Sequence, residues 1–115
     1  MEIRQRLVGS VVCLDLQGRL ISVDEDNVLK DKVNSLLFQG HRTIFLNLEG
    51  VTHVDSLGLS ALIAIRHAVI SSGGSITLLK LPARVQSLLV VTRLITVFDV
   101  CDSEDEALNP QSLEA

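Results

Sequence analysis

The stretch Thr-His-Val-Asp-Ser-Leu-Gly-Leu-Ser, residues 52–60, joins two apolar segments of different character. Before it, Thr43 to Leu48 is apolar apart from Asn47, which predicts a buried, central strand. After it, Leu57 to Ser72 is a long apolar run without proline, which predicts a helix. Asp55 and Ser56 therefore lie where a strand ends and a helix begins, a place where unpaired backbone N–H groups favour negative charge.

A hydroxyl at such a position has three candidate roles: helix cap, nucleophile or phosphate acceptor. If Asp55 is the cap, Ser56 becomes the first helical residue and its hydroxyl is free. A phosphate on Ser56 would then lie beside free N–H groups at the positive helix end. Gly58 fits two interpretations: it lets the backbone of another protein approach, or it packs tightly against the sheet.

The nucleophile interpretation depends on a local similarity. Asp-Ser-Leu resembles part of the Gly-Asp-Ser-Leu signature of a family of serine esterases, and His53 is nearby. However, Val54 replaces the glycine, no histidine follows His67, and His53 is only three residues from Ser56 across a tight turn. We therefore expect a protein that is not an enzyme and needs no cofactor, with His53 as a polar residue at the end of the strand.

Length and composition restrict the class of protein. The 115 residues are 47% hydrophobic, which predicts a single domain over 1–115 with a sizeable core. The absence of Trp and Tyr and a net charge of −4 argue against nucleic acid as a partner. Cys13 and Cys101 lack the spacing of a metal site. We find neither a signal peptide at the N-terminus nor an apolar run that could cross a membrane, and we expect a cytoplasmic protein.

Periodicity and turn residues predict nine elements in the order β-β-α-β-α-β-α-β-α. This order implies an α/β fold, a mixed sheet of about five strands with an N-terminal hairpin and about four helices. The helix after Ser56 is apolar nearly all round, so it is either largely buried or has a face for a partner. The predicted strands are Ile3–Val8, Val11–Leu16 (ended by 17–19), 43–48, Ser75–Leu81 and Ile95–Val100. The first predicted helix runs from a Ser22/Glu25 capping box to Gly40, with an apolar face of Leu29, Val33, Leu36 and Leu37. The later helices are 57–72, one with Pro82 in its first position, and one from a Ser103/Glu106 capping box to Leu108, which Asn109-Pro110 stops and a loose tail at 110–115 follows.

The sequence also resembles a known family. An apolar strand closing with Asn47-Leu48, a spacer, and then Val54-Asp55-Ser56-Leu57-Gly58-Leu59 is similar to the signature of the STAS domain, which sulphate transporters and anti-sigma factor antagonists share. Gly73-Gly74 before the next strand also fits, and the similarity extends from about Val11 to Leu108.

This resemblance implies an anti-sigma factor antagonist that acts in transcription regulation by partner switching. In that family, an ATP-using anti-sigma factor that is also a serine-protein kinase binds the unphosphorylated antagonist, and phosphorylation ends the binding. Carried over, Ser56 is the phosphate acceptor, and Asp55 orients the hydroxyl or contacts the kinase. The expected partner-binding residues are Asp24, His53, Asp55, Ser56, Leu57, Gly58 and Leu59.

Two departures from the family pattern stand out. Leu57 follows the acceptor where many antagonists have Ser or Thr, and Gly18-Arg19-Leu20-Ile21 lacks the acidic residue that often borders the kinase contact. Asp24 is a candidate to replace that residue. The alternative is a STAS interaction subunit of a transporter or stress-signalling complex, in which Ser56 is mainly a cap. The oligomeric state stays open, with a homodimer among the options.

Overall fold

The computed structural model describes residues 2–20 and 23–108, with side chains from residue 28 onward in the second segment. Along these residues, strands and helices alternate after an initial hairpin, which confirms the predicted α/β class and the order of the elements. The elements are β1 (Glu2–Val8), β2 (Val11–Leu20), α1 (Val23–Phe38), β3 (Thr43–Val54), α2 (Ser56–Ser71), β4 (Ser75–Leu79), α3 (Ala83–Val91), a 3₁₀ turn (Leu94–Thr96), β5 (Asp99–Cys101) and α4 (Glu104–Leu108).

The five strands form one mixed sheet in the order β1-β2-β3-β4-β5. β1 and β2 are antiparallel, with Val8 opposite Val11, so the predicted hairpin is confirmed. The remaining neighbours are parallel pairs, and α1, α2 and the α3 segment supply the crossovers that parallel neighbours need. β3 is therefore the central strand, and its C-terminal end leads directly into α2.

Most of the core lies between one face of the sheet and helices α1, α2 and α3. Alternate strand residues such as Leu14, Leu46 and Leu78 pack there with apolar side chains of the three helices. The helical residues that we expected to face the core, Leu29, Val33, Leu36 and Leu37, are all buried. No helix in the described ranges has both the length and the apolar character that a membrane crossing requires.

The opposite face of the sheet has a smaller apolar cluster of Val11, Cys13, Phe45 and Leu79, against which Ala107 of α4 packs. Because β3 contributes Ile44 and Leu46 to one core and Phe45 to the other, the prediction of a strand covered on both faces is confirmed. The short helix α4 thus covers part of the face that the long helices leave open.

Several predicted boundaries are wrong, because local geometry lets strands continue or stop where composition indicates otherwise. β2 runs past Gly18 to Leu20, since positive φ at Gly18 and a register shift after it allow pairing with β3 to resume. β3 extends beyond Leu48 to Val54. β4 ends at Leu79, because Lys80 takes a φ of 53° that leaves the extended region.

The C-terminal elements also differ in detail. Pro82 is the N-cap of α3 instead of its first residue. The predicted strand at 95–100 is mostly a 3₁₀ turn and a bend, and pairing with β4 begins at Asp99. In the last capping box, the amide of Glu106 donates to Ser103 Oγ at 3.2 Å, as expected. The Ser22/Glu25 box, Asn109-Pro110 and the loose tail lie outside the described residues.

Candidate functional site

Asp55 is the single residue between β3 and α2, and it caps the helix. Its backbone is extended (φ −111°, ψ −171°), and its Oδ1 accepts a hydrogen bond of 3.0 Å from the amide of Gly58. Its carbonyl accepts the first helical hydrogen bond, from the amide of Leu59 at 2.9 Å. Of the alternatives that the sequence left open, the structure thus has Asp55 as the cap, and the cap leaves the amides of Ser56 and Leu57 without an intrahelical acceptor.

Ser56 is the first residue of α2, and its side chain is exposed. Within the described part of the chain, no hydrogen bond engages its hydroxyl, whereas its carbonyl accepts one from Ser60 Oγ at 3.0 Å. A primary hydroxyl that is solvent-accessible and lies at the positive end of a 16-residue helix can accept a phosphoryl group without breaking an existing contact.

Gly58 packs tightly against the sheet. A Cβ atom at this position would lie 2.0 Å from the carbonyl oxygen of Leu20 and 3.1 Å from Val54 Cγ1. The glycine therefore lets the first turn of α2 rest on the end of β2, which is the packing interpretation of the two left open by the sequence. Gly58 and Leu59 are buried, so among the predicted partner-binding residues of this turn, Leu57 is the apolar side chain at the surface, with 49% of its area exposed.

His53 is exposed at the end of β3, but it is not aligned with Ser56. Its Nδ1 lies 3.0 Å from Thr52 Oγ1, and the Thr52 hydroxyl donates to the carbonyl of Gly18 at 3.3 Å. No hydrogen bond between His53 and Ser56 occurs in the described part of the molecule. The base–nucleophile contact that serine hydrolysis needs is thus not assembled here. The Asp24 side chain lies outside the described residues.

A family model described as the STAS domain matches residues 2–107. The chain belongs to the STAS domain family. A relative from Thermotoga maritima, named "Putative anti-sigma factor antagonist", is 28% identical over 104 residues, which are 90% of this chain and 91% of the relative. A crystal structure of a protein so named from the same organism superimposes with a TM-score of 0.82 at 26% identity, covering 94% of this chain and 92% of that one.

More distant STAS structures share the fold. The Bacillus anti-sigma factor antagonist SpoIIAA, at 18% identity, has a TM-score of 0.71 in its unphosphorylated form over 99% of this chain and all of that one. Its phosphorylated form gives 0.72 at 20% identity, over 95% and 98% of the two chains. The murine anion transporter Slc26a9 matches with a TM-score of 0.73 at 20% identity, over 90% of this chain but 18% of the transporter.

The outer face of α2 in this STAS domain carries apolar side chains beyond Leu57. Ile63 and Ile70 are 41% and 47% exposed, and Ser60, Ala64 and His67 lie among them on the same face. The opposite side, including Leu62, Ile65 and Val69, is buried. Burial of the apolar helix is therefore confirmed for one side of α2, and the other side is an exposed surface of mainly apolar and small polar side chains that continues from Ser56.

A groove adjoins the Asp55-Ser56 turn, and sequence reasoning missed the residues of its far wall. The groove is lined by Thr52, His53 and Val54 at the end of β3 and by Arg84, Val85 and Leu88 of α3. The two walls are about 30 residues apart in the chain. The sequence offered one signal, a basic residue in the first turn of α3.

A polar network lies on the face of the sheet that α4 covers. Arg6 binds Asp15 through both oxygens, Nε to Oδ2 at 2.5 Å and Nη2 to Oδ1 at 2.9 Å, and it also donates to Glu104 of α4. Asn47 donates to Asp15 Oδ1 at 2.9 Å. These bonds to Arg6 hold the pKa values of Asp15 and Glu104 below their usual range and raise the pKa of Arg6.

Cys13, Asp15 and Glu104 bring potential metal-ligating atoms within 4.8 Å of one another. However, Arg6 Nη2 lies 3.2 Å from Cys13 Sγ and donates to both carboxylates, so a cation already occupies the space between these groups. Burial raises the pKa of Cys13 to about 12, which keeps the thiol protonated. The network is therefore a clamp between β1, β2 and α4, and it does not fit a metal ion.

Proposed function

We propose that this STAS domain is an anti-sigma factor antagonist that binds an ATP-using anti-sigma kinase and is switched off by phosphorylation of Ser56. The observation that carries the proposal is the geometry of the turn: Asp55 makes the cap, while the neighbouring Ser56 hydroxyl is exposed and has no hydrogen bond within the described part of the chain. If Ser56 served only as the cap, its hydroxyl would accept the hydrogen bond that the Gly58 amide donates to Asp55.

Physical reasoning supports a switch at this position. A phosphoserine carries about −1.5 to −2 charges at neutral pH, and the N-terminus of a helix stabilises that charge. The fold would thus tolerate the modification. A partner that packs on Leu57 and on the uncharged face of α2 would instead have to desolvate the phosphate, which is unfavourable. Phosphorylation therefore ends binding without unfolding the protein.

The relatives agree with this proposal. The Thermotoga maritima protein carries the name of an antagonist, and SpoIIAA is an antagonist that exists in unphosphorylated and phosphorylated forms. We propose the same switch here, in the cytoplasm and in the regulation of transcription.

The test uses candidate anti-sigma kinases from the same genome. Incubation with kinase and ATP, followed by mass spectrometry of peptides, is expected to place one phosphate on Ser56. Ser60→Ala is the matched control, because Ser60 is an exposed hydroxyl one turn along the same helix. Ser60→Ala should be phosphorylated and Ser56→Ala should not, and Ser56→Asp should lose kinase binding. Phosphate on Ser60, or full binding by Ser56→Asp, would contradict the proposal.

A second candidate function is an interaction subunit of a transporter or stress-signalling complex without phospho-switching. The feature in its favour is the segment Gly18-Arg19-Leu20-Ile21, which has Ile21 where antagonists often carry an acidic residue. Under this alternative the chain co-purifies with a transporter or a signalling assembly, and Ser56→Asp leaves that association intact. The same variant thus separates the two candidates.

A further inference from the structure

The groove beside the Asp55-Ser56 turn has an apolar floor and basic edges. Val85 is buried, Val54 and Leu88 are half-buried, and the exposed side chains of His53 and Arg84 flank them. Arg19 adds a further cation, because it lies opposite His53 in the register of β2 and β3. The groove has a volume of about 110 Å³, which is enough for one side chain.

The positive charge along this edge is not neutralised within the described part of the chain. Neither Arg19 nor Arg84 forms an ion pair there, in contrast to Arg6 and Lys80. The acidic residue nearest to His53 in sequence is Asp55, and its Oδ1 already accepts the capping bond from the amide of Gly58. This local excess of cations occurs in a chain of net charge −4.

The position of Arg84 is unfavourable for the stability of α3 itself. Arg84 lies in the first turn of the helix, where the macrodipole disfavours a cation, and that turn contains no acidic residue to compensate. A charge that does not stabilise its own helix, and that borders a groove next to an exposed modification site, is suited to contact with another molecule.

We propose that this groove, bounded by His53 and Arg84, receives a carboxylate-bearing side chain of the partner protein, an aspartate or glutamate. This inference rests on the proposed function and specifies the chemistry of the partner. The carboxylate would pair with Arg84, and the stem of the side chain would cover Val54 and Leu88. The partner of this chain is therefore acidic where it meets the end of β3.

The experiment measures binding of the kinase to the full chain by titration calorimetry in 50 mM and 500 mM NaCl. Arg84→Gln is expected to weaken binding about tenfold at low salt and less at high salt, because screening shortens the range of the charge pair. The same variant should raise the Tm by about 2 °C, since it removes a cation from a helix N-terminus. If Arg84 had a structural role, Arg84→Gln would instead lower both the binding affinity and the Tm.

Arg4→Gln is the matched control, since Arg4 is an exposed arginine on the edge strand β1. It should bind within twofold of the wild type in both salts. If the wild-type chain binds the kinase and Arg84→Gln binds equally well, the groove inference is wrong and the proposed function stands. If no candidate kinase binds the wild-type chain, both are wrong.

Discussion

Gly58→Ala tests how closely the candidate site depends on packing between α2 and β2. In an ordinary helix this substitution stabilises by about 0.5–1 kcal/mol, because alanine loses less backbone entropy than glycine. Here the new Cβ would lie 2.0 Å from the Leu20 carbonyl oxygen, and such atoms are essentially never closer than 3.0 Å. The first turn of α2 must therefore move away from β2 by at least the 1.0 Å difference between these two values.

That movement disturbs a well-packed region. Leu59 and Leu62 of α2 are buried in the main core, so lifting the start of the helix loosens both. Overpacking of this kind costs about 1–3 kcal/mol, and we expect a net loss of about 2 kcal/mol after the gain in helix propensity. For a chain of 115 residues this loss corresponds to a Tm lower by about 8 °C.

The assay is differential scanning calorimetry of Gly58→Ala beside the wild type and Ser60→Ala. Ser60 is exposed on the same helix, so Ser60→Ala changes helix propensity without a clash and should shift the Tm by less than about 2 °C. Because Gly58 follows Ser56 by two residues, the displaced turn should also weaken partner binding in Gly58→Ala. A Tm for Gly58→Ala equal to or above that of the wild type would refute the clash.

Three further outcomes are expected. Asp55→Ala should lower the free energy of unfolding by about 1 kcal/mol in urea melts, because the capping hydrogen bond from the Gly58 amide is lost. Asp55→Asn should retain most of the wild-type stability, because an amide oxygen can accept the same hydrogen bond. Glu104→Gln should speed alkylation of the fully buried Cys13 thiol in the native protein, because the bond from Arg6 to Glu104 holds α4 over that thiol. Peptide mass spectrometry measures the alkylation, and the control Asp102→Asn should leave its rate unchanged. The free energy of unfolding should fall as the pH drops below about 4.5, because Arg6 lowers the pKa of Glu104 in the folded state. The ionised Glu104 carboxylate stabilises the fold fully above its ordinary pKa, and this stabilisation is lost as the pH falls through its lower pKa in the folded state. Urea melts from pH 6 to pH 3 should show a smaller decline for Glu104→Gln.

The sequence predicted the part of the structure that depends on local rules. The hairpin, the alternation of strands and helices, the buried face of α1 and the cap at Asp55 all follow from residues close together in the chain. The resemblance then supplied the family, which the match over residues 2–107 confirms. Predicted strand ends were wrong where the backbone conformation of one residue decides whether a strand continues, as at Gly18 and Lys80.

Features that join distant segments could not be predicted. The network of Arg6, Asp15 and Glu104 connects residues 98 positions apart, and no spacing in a single sequence signals such a contact. Gly58 illustrates the same limit: glycine permits either a close partner or close packing, and the position of the Leu20 carbonyl decides between them. Burial of Leu59, and with it the extent of the surface around Ser56, depends on that same contact.

At this turn the structural roles fall on Asp55 and Gly58, so the proposed switch at Ser56 would not reduce the stability of the fold. Asp55 accepts the capping hydrogen bond at the start of α2, and Gly58 lets the first turn pack on β2. Neither structural role requires the Ser56 hydroxyl between them. A group added to Ser56 would therefore extend into solvent from a helix that is already capped, at the end where the macrodipole favours negative charge. The modification would alter the charge of the surface that a partner meets and would leave the core unchanged. In this arrangement the affinity for the partner can vary while the folded structure stays the same, which a reversible switch requires.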